Sequence, residues 1–116
     1  MPHRSHITTH VLDVQRGQPA EDLAVRLEIR IAGRWTELAR SSTNAEGRVE
    51  GLLPPGAHLE PGTYCLQFET GAWFAKTGTT GFYPFVTIVF EVTHSEEHYH
   101  VPLLLSAHGY TTYRGS

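Results

Sequence analysis

The 116-residue chain predicts an all-β fold, a β-sandwich of about eight strands with one short helix. Two observations favour this fold. Apolar and polar residues alternate with a period of two along most of the chain, as they do in half-buried strands. Glycine, proline and asparagine separate these stretches at short intervals, which is typical of sandwiches. The length is that of one domain, so residues 1–116 are taken as a single unit.

The first half of the chain supplies the clearest alternation. Between Leu23 and Ile31, apolar residues occupy every second position, with arginine and glutamate among the residues between them. Gly33 marks a turn into a returning strand, and residues 43–47 form a second turn because asparagine and glycine tolerate positive φ. The strands predicted in this half are 7–14, 23–31, 35–39 and 48–53.

The second half contains the only candidate helix, residues 70–76, which Thr70 would cap and Gly78 would end. Pro102 lies inside a predicted strand and lacks a backbone N–H. That strand is therefore either an edge strand or has Pro102 at a position that makes no pair. The strands predicted in this half are 63–68, 86–92, 98–106 and 110–114.

Composition and charge exclude several classes of partner. The formal net charge is −3 and the isoelectric point about 6.2, so no basic surface is expected to hold nucleic acid or an anionic membrane. No apolar stretch approaches the roughly 20 residues that a membrane helix needs. The start lacks the apolar core of a signal peptide, and the single cysteine, Cys65, cannot form an intrachain disulfide. We expect a cytoplasmic protein, and its unusual feature is its eight histidines.

Two of the histidines stand two residues apart, as His98-Tyr99-His100. Residues i and i+2 of a strand share a face, so both imidazoles point the same way, while Tyr99 belongs to the opposite, apolar face. Such a pair can bind zinc, or one imidazole can act as a general acid or base near neutral pH. A solvent-facing polar strand explains the same pattern, and an isolated pair of this kind favours that simpler interpretation.

Three further positions carry groups of the kind that catalysis uses. His10 shares a strand face with Thr8, Leu12 and Val14, where a single histidine is more often structural than catalytic. Arg48 follows a turn, where an arginine is usually solvated unless the fold brings it to the histidines; there it can bind an anionic or carbonyl-rich ligand. Residues 110–116 contain two tyrosines and an arginine, which suggests a packed terminus, although an ordinary edge strand is the default.

A family pattern runs through six segments of the sequence: 7–13, 17–20, 47–48, 82–90, 98–106 and 113–116. Together they resemble the enzyme branch of the transthyretin family, the 5-hydroxyisourate hydrolases. The resemblance spans nearly the whole chain. Its most specific mark is the ending Tyr-Arg-Gly-Ser, which separates the hydrolases from the hormone carriers. Ala107 and His108 stand where the family usually has a proline, a departure that affects only the geometry of a turn.

The resemblance implies a transthyretin-like two-sheet sandwich with one short helix, assembled as a homotetramer that is a dimer of dimers. Its active sites would lie at the interface between dimers, where symmetry builds a cleft that a small monomer cannot. The family's catalytic residues match His10, Arg48 and His100, and no cofactor is implied. The residues expected to bind the substrate are His98, Tyr113, Arg114 and Ser116.

The implied reaction hydrolyses a cyclic amide of 5-hydroxyisourate. It opens the six-membered ring to give 2-oxo-4-hydroxy-4-carboxy-5-ureidoimidazoline in urate degradation. His10 or His100 would activate water, with the other imidazole orienting the water or donating to the leaving nitrogen. Arg48 would hold a carbonyl or anionic edge of the substrate and stabilise developing negative charge.

Three alternatives stay open at this point. His10, His98 and His100 offer three nitrogens to zinc, but a guanidinium in the same cleft would repel a divalent cation, so we expect no metal. The same sandwich suits a non-catalytic carrier of small molecules, although a lining of imidazole and guanidinium groups is unlike the apolar channel that a carrier needs. A structural domain with solvated histidines is the third interpretation.

Overall fold

The computed structural model describes residues 6–54 and 56–116, and this part of the chain contains nine strands and one helix. With seven residues the helix is too short to cross a membrane, and no other helix occurs in the described ranges. In chain order the elements are β1 (Ile7–Asp13), β2 (Gln18–Pro19), β3 (Ala24–Ile31), β4 (Arg34–Ser42), β5 (Arg48–Val49), β6 (Gly62–Phe68), α1 (Thr70–Lys76), β7 (Val86–Val92), β8 (Tyr99–Leu105) and β9 (Tyr110–Thr112).

The strands form two sheets, as a sandwich requires. The first sheet has the order β2-β1-β8-β9, and β5 pairs with the same edge of β1 as β2 does, further towards the start of β1. The second sheet has the order β4-β3-β6-β7. β1 and β8 run parallel, and the other described pairs are antiparallel.

The alternation of apolar residues places one face of each sheet in the core. Val25, Leu27 and Ile29 of β3 are buried, as the sequence predicts, whereas Ile31 is 54% exposed. The reason is register: β6 pairs with β3 only from residue 25 to residue 29, so Ile31 lies beyond the neighbouring strand. The core therefore ends where the pairing ends.

Several strand predictions differ from the structure. β4 continues to Ser42 rather than ending at residue 39, and β9 ends at Thr112 rather than at residue 114. The strand predicted over residues 48–53 is too long, because β5 ends at Val49 and Leu52 turns into the core, where it is buried. The sequence does not predict β2, whose two residues pair with Leu12 and Asp13 and are too few to show alternation. The described strands therefore number nine rather than about eight.

The helix α1 has the predicted bounds but not the predicted start. Glu69 is the residue before it, no side chain caps it, and Thr70 is its first residue. The Thr70 hydroxyl points instead to the carbonyl oxygen of Tyr83, 3.5 Å away in the loop that follows the helix. Gly78, just past the end, has a φ of +77° and adopts the left-handed conformation expected of a terminating glycine.

Pro102 lies in the interior of the first sheet, between β1 and β9. Alternate residues of a strand direct their backbone groups to the same neighbour. Because the carbonyl of His100 accepts a bond from Gly115 N, Pro102 also faces the β9 side. There β9 ends at Thr112, whose hydroxyl donates to the carbonyl of Pro102 at 2.8 Å. The missing N–H of Pro102 therefore falls where the regular hydrogen bonding between β8 and β9 is interrupted. Of the two predicted arrangements, this is the one in which Pro102 occupies a position that makes no pair.

Candidate active site

The outer face of the first sheet brings together the side chains that the sequence singled out. Residues opposite each other in neighbouring strands share a face. Thr8 of β1 lies opposite His100 of β8, and His10 lies opposite Arg48 of β5. The path from His100 to Arg48 crosses two strand spacings and two residues, which is about 12 Å between Cα atoms. One planar ring therefore fits between their side chains.

A buried hydroxyl connects the two histidines of the H-x-H motif. Thr8 is only 1% exposed, and its Oγ1 lies 2.9 Å from His98 Nε2 and 2.8 Å from His100 Nδ1. The two imidazole rings are 6.5 Å apart between centroids and tilted by 16° from parallel. Sequence reasoning noted Thr8 only as a neighbour of His10 on its strand. The signal for its role is the register that sets Thr8 opposite His100.

His10 has a tautomer fixed by the backbone. Its Nε2 lies 2.8 Å from the carbonyl oxygen of Glu46. A carbonyl only accepts hydrogen bonds, so Nε2 carries the proton and donates it. A neutral His10 then has its lone pair on Nδ1, and that nitrogen is able to take a proton from water. Sequence reasoning missed Glu46 because its backbone, rather than its side chain, makes the contact.

The turn before Arg48 is held by one asparagine. The Asn44 side-chain oxygen accepts bonds from Glu46 N at 2.9 Å and from Arg48 N at 3.0 Å. A side chain that folds back on its own turn in this way is a usual function of asparagine. The same turn therefore positions the Glu46 carbonyl and the start of β5.

Gly47 lets this turn lie directly against β1. Its φ is +79°, and its carbonyl accepts a bond of 2.7 Å from Val11 N. A Cβ at this position would lie 2.4 Å from Val11 O and 3.1 Å from the Cβ of Pro19. Only glycine combines the positive φ with the close approach, and the approach is what places Arg48 beside His10.

Arg48 combines two properties, partial burial and the lack of an ion pair among residues 6–54 and 56–116. Arg30 and Arg34 also belong to no ion pair in these ranges, but both are exposed. Arginine stays charged and presents a planar set of donors that matches carbonyl and carboxylate groups. Arg48 is therefore available to bind a planar, oxygen-rich ligand.

The end of the chain runs along His100. Gly115 N donates to the His100 carbonyl at 2.8 Å, and the two residues form an isolated bridge. A Cβ on Gly115 would lie 2.6 Å from His100 Cδ2, so the backbone presses against the imidazole. This contact carries Ser116 to the same part of the sheet as His98 and His100.

Tyr113 and Arg114 lie on another surface. Together with Tyr99 and Val101 of the core face they line a cavity of about 320 Å³ between β7 and β8. The Arg114 guanidinium lies 4.5 Å from the centroid of the Tyr99 ring and donates to Glu97 at 3.0 Å. Arg114 also donates to the backbone carbonyl of His98 at 3.4 Å. The expected contact of Tyr113 and Arg114 with the substrate stays a prediction.

A metal centre and a nucleophilic cysteine are two other kinds of chemistry that a site of this sort can use. In the described part of the chain no three histidine, cysteine, aspartate or glutamate side chains form a group that could hold a metal ion. Cys65 is buried and donates to Glu28 at 3.4 Å. Burial, with the Glu28 carboxylate, raises the pKa of the Cys65 thiol to about 12, so it is protonated near neutral pH. The expectation of metal-free catalysis stays a prediction.

Comparisons with known proteins match nearly the whole chain. A model described as the HIUase/Transthyretin family matches residues 7–115. The chain is 48% identical to the 5-hydroxyisourate hydrolase of Mus musculus, across 97% of this chain and 96% of that protein. It is similar to the structure of Klebsiella pneumoniae 5-hydroxyisourate hydrolase, with a TM-score of 0.82, 40% identity and coverage of 95% and 98%. Sea bream transthyretin in complex with thyroxine gives a TM-score of 0.87 at 32% identity, covering 94% and 93%.

Proposed function

Because the chain belongs to the HIUase/transthyretin family, we propose that it hydrolyses 5-hydroxyisourate in urate degradation. The names of the mouse and Klebsiella relatives support the substrate. The observation that carries the proposal is the pairing of His10 with Arg48 on one sheet face, with His10 oriented by the Glu46 carbonyl. This pairing supplies a base and a cation side by side, which is what hydrolysis of a cyclic amide requires.

His10 is the general base in this proposal. Its Nδ1 takes a proton from water while Nε2 stays bonded to the Glu46 carbonyl. The water oxygen forms a bond to the amide carbon of the ring, and the carbonyl oxygen becomes an oxyanion. His10 then returns the proton to the ring nitrogen as the carbon–nitrogen bond breaks, so one proton is taken and one is given back.

Arg48 stabilises the negative charge of this reaction. The charge develops on an oxygen that a guanidinium can hold with charge-assisted hydrogen bonds. No aspartate or glutamate lies among the described strand residues that share the face of His10 and Arg48, so no carboxylate there competes for the cation. His98 and His100 lie on the side of β1 that pairs with β8, and they complete the polar surface around the substrate.

The complete site is proposed to form in a homotetramer, a dimer of dimers. The transthyretin-like family is tetrameric, and the sheet face that carries His10 also presents partly exposed Leu12 and Leu104. A second copy that packs on these side chains would bring its own imidazoles to the same cleft. Light scattering of the purified protein tests this, with a mass of four chains expected; a monomer that is fully active would contradict it.

A non-catalytic carrier is the alternative, because sea bream transthyretin with thyroxine has a similar fold. The imidazole and guanidinium groups of this face favour hydrolysis over storage of an apolar ligand. The test mixes the protein with freshly generated 5-hydroxyisourate and follows its ultraviolet absorbance. We expect decay far faster than the spontaneous rate. Decay at the spontaneous rate, together with tight binding of thyroxine, would favour the carrier.

A further inference from the structure

Arg48 lies in a strand of only two residues, and its own backbone groups do not bond to the neighbouring strand. β5 consists of Arg48 and Val49, and Arg48 is paired with His10 of β1. Val11 N donates to the Gly47 carbonyl at 2.7 Å, and this bond lies next to the His10–Arg48 pair. In an antiparallel ladder such a flanking bond marks a pair that exchanges no backbone bonds of its own. The N–H and C=O of Arg48 therefore point away from β1.

Both of these backbone groups bond to Asn44 instead. Arg48 N donates to the side-chain oxygen of Asn44 at 3.0 Å, and the Arg48 carbonyl accepts a bond from Asn44 N at 3.0 Å. One residue of the turn thus supplies the partner of each polar backbone group of Arg48. Only the first of these bonds uses a side chain, so it is the one that a substitution at position 44 removes.

The partner of His10 depends less on that side chain. Gly47 N donates to the backbone carbonyl of Asn44 at 2.9 Å, a bond that any residue at position 44 can accept. The same peptide group carries the Glu46 carbonyl, which accepts the bond from His10. The Asn44 oxygen also accepts from Glu46 N, which belongs to the preceding peptide group. Loss of the Asn44 side chain therefore affects Arg48 more directly than His10.

The guanidinium of Arg48 depends on these backbone bonds for its direction. In the part of the chain that the structure describes, Arg48 forms no ion pair, so no carboxylate holds the far end of its side chain. Paired residues that exchange no backbone bonds are the closest across a sheet, about 4.5 Å between Cα atoms. The bonds to Asn44 therefore determine how the guanidinium is aimed relative to His10.

We propose that Asn44 is a positioning residue that holds the Arg48 guanidinium beside the His10 imidazole during the reaction. The inference rests on the proposed hydrolysis and deepens it, because it identifies what sets the spacing of the base and the cation. Asn44 lies on the exposed side of the turn and acts through Arg48 rather than by contact with the substrate. A misplacement of about 1 Å at a reacting centre can lower a rate as much as 10²-fold, so this spacing matters.

The first test is a double-mutant cycle between Asn44 and Arg48. Asn44→Ala removes the side-chain acceptor and keeps the backbone bonds of the turn. We expect kcat for 5-hydroxyisourate to fall about tenfold with little change in KM, since Arg48 acts on charge that develops in the transition state. In a protein that already carries Arg48→Gln, Asn44→Ala should change kcat by less than about twofold. An equal fall in both backgrounds, or an unchanged kcat in Asn44→Ala alone, would overturn the proposal.

Two matched variants separate positioning from a general loosening of the sheet. Asn44→Asp keeps an oxygen that accepts both bonds, and its kcat should stay within about threefold of the native value. Ser106→Ala removes a side-chain bond from another turn of the first sheet, the one from Ser106 Oγ to the Gly109 carbonyl at 3.1 Å, and should leave kcat unchanged. The proposal is refuted if Asn44→Asp is as slow as Asn44→Ala, or if Ser106→Ala is.

Hydrogen exchange measures the same bond without turnover. The Arg48 N–H should exchange slowly in the native protein and about tenfold faster in Asn44→Ala, whereas the Val11 N–H should keep its protection. If Arg48 exchange does not depend on Asn44, the positioning fails even where turnover falls. If the native protein leaves 5-hydroxyisourate untouched while the exchange does depend on Asn44, the proposed hydrolysis fails and the placement of Arg48 by Asn44 stands.

Discussion

The outer faces of the two sheets both carry charge, but they arrange it differently. On the second sheet, Arg26 lies 3.5 Å from Glu28, and Arg40 lies 2.7 Å from Glu37. On the first sheet, Arg48 belongs to no ion pair in the described ranges. Arg30 and Arg34 of the second sheet also lack a carboxylate partner, but they are exposed, whereas Arg48 is partly buried. The number of charged residues therefore does not identify a site; partial burial together with the lack of a carboxylate partner does.

Pairing also changes what each face can bind. The hydrogen bond from Arg40 lowers the pKa of the Glu37 carboxyl, so this pair stays ionised and mutually neutralised on the surface. Exposed pairs of this kind contribute little to stability. The imidazoles of the first sheet instead bond to neutral groups, a hydroxyl and a carbonyl. These groups orient the rings without placing an opposite charge beside them.

The largest expected effect comes from removing the base on the first sheet. His10→Gln keeps a donor for the Glu46 carbonyl but has no nitrogen that accepts a proton. We expect kcat/KM for 5-hydroxyisourate to fall by about 10²–10⁴, the usual contribution of a general base. His58→Gln is the control, because His58 is exposed and paired with Glu60 at 3.1 Å. Equal activity of the two variants would remove His10 from the mechanism.

The next effect concerns stability and compares two glycines with similar backbones. Gly47 and Gly33 have φ of +79° and +77°, but a Cβ would meet Val11 O at 2.4 Å only at Gly47. We expect Gly47→Ala to lower the free energy of unfolding by about 3 kcal/mol, from backbone strain plus overpacking. Gly33→Ala, in the turn of the second sheet, should cost about 1 kcal/mol. Urea unfolding measures both, and equal losses would mean that the turn can move away from β1.

The two arginines test the comparison most directly. Arg48→Gln should reduce kcat/KM about 10- to 100-fold, because a charged hydrogen bond to the substrate is lost. Arg40→Gln removes a similar charge from the paired face and should leave kcat/KM within about twofold, since its partner Glu37 is exposed and readily solvated. Steady-state kinetics of both variants decides the matter. A loss at Arg40 as large as that at Arg48 would show that net charge, rather than position, matters.

The smallest effect is expected at Cys65, which lies inside the second sheet. Its thiol pKa is raised from 9.0 to about 12 by burial and by Glu28, so the native protein should not react with iodoacetamide at pH 8. In 6 M urea the thiol should react fully, which mass spectrometry detects. The raised pKa adds stability below pH 9 that is lost as the pH rises towards 12. Rapid labelling of the native protein would contradict this placement.

Much of the fold follows from local patterns in the sequence. The alternation in β3 and β7 reflects one buried face, and the bounds of α1 follow from a short segment between turn residues. β2 has no such signal, since two residues cannot alternate. Its pairing depends on the position of β1, which is set by the rest of the sheet.

The geometry of the site is harder to predict from the sequence than the fold is. The likeness to a family selects His10, Arg48 and His100, but it does not say what orients them. Thr8 and His100 are 92 positions apart, and their contact depends on the register of β1 with β8. The partner of His10 is a backbone carbonyl, which every residue has, so no residue type marks it.

The parallel pairing of β1 with β8 has a consequence for how the protein is made. Strands so far apart along the chain meet only after the polypeptide between them has left the ribosome. Until then one edge of β1 is unpaired, and nascent chains with such edges are prone to aggregate. Contacts this distant also slow folding, to the millisecond-to-second range typical of sandwiches. The imidazole cluster therefore forms only after β8 has been synthesised, and activity should not appear before then.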